Sequence, residues 1–172
     1  MALIIETGTG SSTSEAYADA AAYVAWHTAY RGAAPTADTT TIEAAIRRSV
    51  SYLDALRWVG TRVNGRSQSL SWPRQDAVDG EGNEIAETDI PAEMISAQHA
   101  LTRAEIASPG ALSPDVTLSG KKVLTEVKGI RWEVQKSGNT VDAARQVVTE
   151  AMDLVKGLLI GGGSDTRMLE RA

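Results

Sequence analysis

The 172-residue chain has no cysteine, no phenylalanine and only two histidines. Without cysteine there is no disulfide framework and no thiolate chemistry, which fits a reducing compartment without requiring one. Around His27 and His99 no carboxylate stands at metal-ligand spacing, so both read as structural or surface residues and no metal site is expected. Long apolar runs are missing too. The most apolar stretch, LVKGLLIGGG, is broken by Lys156 and Gly157, and the opening MALIIETGTG has neither the basic start nor the apolar run of a secretory signal. No membrane span or exported leader is expected. A Gly-x-Ser-x-Gly elbow is also absent, so nothing positive points to an enzyme.

What is present is enough chain for one domain with a real core. The net charge of -5 argues against bulk binding of nucleic acid or an anionic membrane. Its distribution is uneven. Residues 31–74 hold seven arginines and three acids, whereas residues 75–115 hold nine acids and one base. A surface with one basic and one acidic side suits copies that pack head to tail in a ring.

Periodicity divides the chain. SSTSEAYADAAAYVAWHTAYRG opens with capping residues and stops at glycine, predicting a helix over Ser14–Tyr30. A second helix follows from TTTIEAAIRRSVSYLDALRWVG, with Ile42, Ile46, Val50, Leu53 and Leu56 at three-four spacing and Gly60 as its stop. From Thr61 to Thr88 no helical period survives. Then Asp89 caps a third helix running to Ala107, with Pro91 in its first turn and Met94, Ala97 and Leu101 on one face. Alternation in KKVLTEVKGIRWEVQ predicts a β-hairpin over 121–136, and helical spacing returns over 140–160. The expected fold is mainly α: a single domain over 1–160, a small helical bundle with a β-hairpin insertion, and a flexible C-terminal tail over 161–172.

The glycine-bearing stretches do not match ligand loops. GTGSST lacks the later glycine of a dinucleotide fingerprint and the Gly-Lys-Ser/Thr of a phosphate loop, and reads as a lead-in. DGEGNE places Asp79, Glu81 and Asn83 like a calcium loop, but Glu84 replaces the turn glycine and Ile90 falls where the bidentate acid belongs. No cofactor is implied. Arginines interleaved with Tyr52, Trp58 and Trp72 would suit single-stranded DNA, but equally a core flanked by ion pairs, which the adjacent acidic segment favours.

Several segments, in order, carry a family resemblance: EAYADAAAYVAWHTAYRG, AIRRSVSYLDAL, QSLSWPR, DGEGNEI, IPAEMISAQHALTRAEI and GKKVLTEVKGIRWEV. Over residues 14–136 the chain resembles the tailed-phage head-to-tail adaptors, connector or head completion proteins that often carry the label DnaT-like single-stranded DNA-binding protein. The resemblance implies a non-enzymatic virion protein, made in the bacterial cytoplasm and placed in the phage neck. Such proteins form a ring, commonly dodecameric, between the portal protein and the next neck or tail protein, a stopper or tail terminator. The ring lines the DNA passage without reading sequence. On this view Arg47, Arg48 and Arg74 meet Asp76, Asp79 and Glu81 of a neighbouring copy, and Leu158, Leu159, Met168 and Leu169 form a portal-binding tail. Trp72 and Pro73 act as a clasp on the loop. The competing reading is a single-stranded DNA-binding replication accessory protein.

Overall fold

The computed structural model describes residues 3–114 and 147–161. Among the described residues four α-helices dominate: α1 (Ala20–Arg31), α2 (Thr39–Asp54), α3 (Ala92–Ala107) and α4 (Thr149–Val155), the last continued by a 3-10 turn, Lys156–Leu158. Helix α3 lies at the centre, with α2 and α4 packed against it and α1 against α2 and α3. The fold is mainly α.

Capping residues set the helix starts. Asp19 accepts the Ala22 N–H at 2.8 Å and Asp38 the Thr41 N–H at 2.7 Å, each satisfying a donor that the first helical turn cannot. Gly32 ends α1 in the left-handed conformation, with φ 74. The expectation that the first helix begins at Ser14 is corrected: it begins at Ala20. Residues 14–18 are held by tertiary partners instead. Glu15 N–H donates to Ile4 O at 2.7 Å and Glu6 N–H to Ala16 O at 2.8 Å. The fully buried Gln98 of α3 then accepts the Tyr17 N–H at 2.8 Å and donates to Ala18 O at 2.9 Å. Helix α2 stops at Asp54, short of Gly60, while α3 ends at Ala107 as its spacing predicts.

The polar excursion after α2 is ordered by two small antiparallel pairs. Strands β1 (Thr61–Arg62) and β2 (Arg74–Gln75) pair with Arg62 opposite Arg74; β3 (Ala77–Val78) and β4 (Glu84–Ile85) pair with Val78 opposite Glu84. The hairpin expected over 121–136, most of the helix expected before 149, and Met168 and Leu169 lie outside the described residues.

One contiguous core joins these parts, including Ile46, Leu53, Trp58, Trp72, Met94, Leu101 and Val155. Gly157, which broke the apolar run in the sequence, has a packing reason: a Cβ added at Gly80 would lie 3.2 Å from the Gly157 Cα. The hairpin turn and the end of α4 meet backbone to backbone. Among the described residues no helix is long and apolar enough to cross a membrane.

Candidate assembly surface

Trp72 is wholly buried, its ring edge-on to Trp58 at 6.3 Å between centroids, and it joins Pro73 through a cis peptide bond. Polar groups fix the backbone around it. Trp72 N–H donates to the Tyr17 hydroxyl at 3.2 Å, Tyr17 donates to Asp54 Oδ1 at 3.3 Å, and the same oxygen accepts the Ser71 N–H at 2.8 Å. Burial pushes the Asp54 pKa up against these hydrogen bonds, and pushes Tyr17 well above the usual phenol range. Gln68, also buried, donates from Nε2 to Leu70 O and Pro73 O, each at 2.9 Å. Trp72 and Pro73 therefore close the excursion onto α2 and the N-terminal segment.

The arginines read from the sequence as facing a neighbour are engaged at home. Arg47 makes a two-point contact with Glu15, at 3.0 and 3.3 Å, which lowers the Glu15 pKa. Arg48 reaches Glu105, whose side chain is 0% exposed and also accepts the Gly110 N–H at 2.6 Å. Arg74 is the clearest correction: its guanidinium donates to Gly60 O at 2.7 Å, Ser71 O at 3.0 Å and Val59 O, filling a ring of loop carbonyls rather than meeting a carboxylate. Carbonyl oxygens left unpaired by a tight loop are costly, and the planar five-donor guanidinium suits several at once. Burial, with Arg62 nearby, pulls its pKa down.

The acidic residues are placed differently. Asp79 organises its own turn, accepting the N–H groups of Glu81 at 2.8 Å and Asn83 at 2.9 Å, so its carboxylate is spent locally. Asp76 and Glu81 are exposed, as are Glu84 and Glu87, and none pairs with a described cation. Asp76, Glu84 and Glu87 line a cleft of about 480 Å³ together with Ala77, Val78 and Ile85. An acidic edge is thus available on the β3–β4 hairpin, without the basic counterpart expected from Arg47 and Arg48. Exposed Arg57 and Arg66 make no ion pair among the described residues.

Leu158 and Leu159 are corrected as tail residues. Leu158 is buried, and Val59 N–H donates to its carbonyl at 3.0 Å while Ile160 N–H donates to Arg57 O at 3.0 Å. These two hydrogen bonds flank an isolated antiparallel bridge between Leu159 and Trp58, which ties the segment to Arg57–Val59.

Tyr23, Trp26, Tyr30 and His99 form an aromatic ladder leading from core to surface, with Trp26 stacked on Tyr30 at 5.2 Å and 5.5 Å from His99. Burial lowers the His99 pKa to about 4, so the ring is neutral at physiological pH. Glu150 of α4 accepts from Arg31 at 2.8 Å and Arg103 at 3.1 Å, tying three helices together.

Glu6, Gln98 and Glu105 carried no recognisable spacing in the sequence. Glu6 corrects the reading of GTGSST as a lead-in. Its Oε1 accepts the N–H groups of Thr7, Gly8, Thr9 and Gly10 at 2.8 to 3.1 Å, and its Oε2 that of Ser11 at 2.9 Å. Gly8 and Gly10, at φ 94 and 66, allow the loop to turn its amides inward. The anion nest is filled by the chain's own carboxylate. The signal was there as glycine alternation behind a glutamate, but that pattern is common in ordinary turns. Among the described residues no group of His, Asp or Glu could hold a metal ion.

No curated protein and no solved structure matches the chain. A family match covers residues 1–172, and its description carries the DnaT-like label without the connector role. The chain belongs to the family described as "Putative DnaT-like ssDNA binding protein".

Proposed function

We propose that this protein is a structural head-to-tail adaptor of a tailed phage. It forms a ring between the portal protein and the next neck or tail protein and surrounds the DNA passage. The observation that carries this reading is that five arginines among the described residues are used internally: Arg31, Arg47, Arg48 and Arg103 are paired with carboxylates of the same chain and Arg74 with its own carbonyls. Trp58 and Trp72, which could have stacked bases, are sealed in the core. A strand of DNA held without sequence preference needs open guanidinium groups beside open rings. What the described surface leaves open is an acidic hairpin edge, the cations Arg57 and Arg66, which have no ion pair among the described residues, and scattered apolar side chains, including Val78, Tyr30 and Ile160. Those suit protein partners. Copies pack side by side with the β3–β4 edge toward exposed cations of the neighbour, Arg57 and Arg66 among them, and the ring is dodecameric like those of the adaptors it resembles. Charge complementarity sets register while apolar contacts supply most of the adhesion.

The test mixes purified protein with portal particles of the same phage. Cosedimentation and an added ring of density in electron micrographs are expected; neither appearing removes the adaptor reading. The second reading, a single-stranded DNA-binding replication accessory, is favoured by the family's description. A salt-dependent shift of a labelled oligonucleotide at micromolar protein, lost when Arg57 and Arg66 are reversed in charge, would establish it instead.

A further inference from the structure

Where α1, α3 and α4 meet, a cleft of about 340 Å³ opens between Trp26, Tyr30, Ser96, Glu150, Asp153 and Leu154. Its wall is the stacked pair of Trp26 and Tyr30, and Tyr30 is 71% exposed. Leu154 on α4 also lines the cleft and is exposed. Of its two carboxylates, Glu150 already holds Arg31 and Arg103, whereas exposed Asp153 pairs with no described cation. Aromatic faces beside an unpaired carboxylate select an occupant with adjacent apolar side chains flanked by positive charge, because a guanidinium gains from both the ring face and the acid.

The chain carries one such segment beyond the last described residue. Thr166-Arg167-Met168-Leu169-Glu170-Arg171 sets two apolar residues between two arginines. We propose that this segment occupies the cleft of its own chain, with Met168 and Leu169 against Trp26, Tyr30 and Leu154, and an arginine at Asp153. Reach favours the same chain over a second copy. Gly161 to Met168 spans up to about 23 Å when extended. Leu154 lies within about 16 Å of Gly161, counting the helical rise to Leu158 and three extended residues after it. A short tether holds its end at a local concentration of the order of millimolar, so even a weak contact is populated. The consequence for partners is direct: Met168 and Leu169 are covered until something with a better surface displaces them. This holds whether or not the protein sits in a phage neck.

The absence of cysteine makes the test simple. Ala172→Cys in the full chain gives a single attachment point for a nitroxide, and line broadening is read on the Trp26 indole and Ser96 amide signals of isotope-labelled protein. Both signals are expected to lose most of their intensity, and to regain it in the Met168→Ser/Leu169→Ser chain. A mixture of nitroxide-bearing unlabelled protein with isotope-labelled protein lacking the nitroxide is expected to show no broadening. Broadening in that mixture would assign the cleft to a second copy, and no broadening in either sample would leave the cleft without the tail; each overturns the proposal.

Discussion

The hydroxyl of Tyr17 stands between Asp54 and the Trp72 backbone, donating to the Asp54 carboxylate at 3.3 Å and accepting the Trp72 N–H at 3.2 Å. One phenol oxygen thus joins the N-terminal segment, the end of α2 and the turn that buries Trp72. Tyr17→Phe keeps the ring and removes both bonds, leaving a buried N–H unpaired. A loss of about 1–3 kcal/mol is expected, read as a lower denaturant midpoint with unchanged slope.

Trp72 is the largest fully buried side chain among the described residues. Trp72→Ala should cost about 3–5 kcal/mol, enough to unfold a marginally stable domain. Trp72→Phe, which refills part of the space, should recover a measurable fraction of that loss in the same denaturant titration.

Arg48 and Glu105 form an unequal pair, the arginine half exposed and the glutamate wholly buried. Removing the arginine strands a charge that cannot reach water. Arg48→Ala is therefore expected to cost about 2 kcal/mol, below the range for fully buried pairs because solvent reaches the arginine side. Glu105→Gln still accepts the Gly110 N–H and should cost less. A double-mutant cycle between the two positions measures the coupling.

Acid should destabilise the protein through His99. Its folded pKa of about 4 lies below the ordinary value of 6.5, so the unfolded chain binds the proton more readily. The native state is favoured above the unfolded pKa, and that advantage is lost as pH falls from 6.5 toward 4, by up to about 3 kcal/mol. Asp54 acts in the opposite sense: its raised pKa makes stability fall as pH rises through the window above 3.8. Thermal melts of the wild-type chain and His99→Phe between pH 7 and pH 4.5 separate the two. The variant is expected to lose most of the acid sensitivity in that interval.

Glu84 and Glu87 are exposed and unpaired among the described residues, so reversing them should leave the fold intact. Glu84→Lys with Glu87→Lys is expected to shift the thermal midpoint by no more than a few degrees, since surface changes stay within about 0.5 kcal/mol. Ring recovery on portal particles should fall in the same protein.

Periodicity located α2 and α3 because their buried residues recur at helical spacing, although α2 stops short of Gly60 and α3 starts at Ala92 after Pro91 rather than at an Asp89 cap. It overran α1, since Ser14–Ala18 have helical composition but find better partners in Ile4 and Gln98, which no local pattern announces. The tryptophan clasp was legible as an apolar residue in a polar loop, and its polar supports were not. Asp54, Gln68 and Tyr17 meet there across up to 55 residues of chain. Charge blocks could not show that Arg47 and Arg48 are paired within the chain. A net count per segment says nothing of which charges touch.

The pairing of Arg57–Val59 with Leu158–Ile160 also sets an order of events during synthesis. Trp58 and Val59 leave the ribosome about a hundred residues before the segment that pairs with them, on the order of five to twenty seconds at typical elongation rates. The nascent chain must carry that uncovered edge until residue 160 emerges. Chaperone occupancy on chains stalled through an appended C-terminal linker should accordingly drop once the linker is long enough to free residue 160 from the exit tunnel.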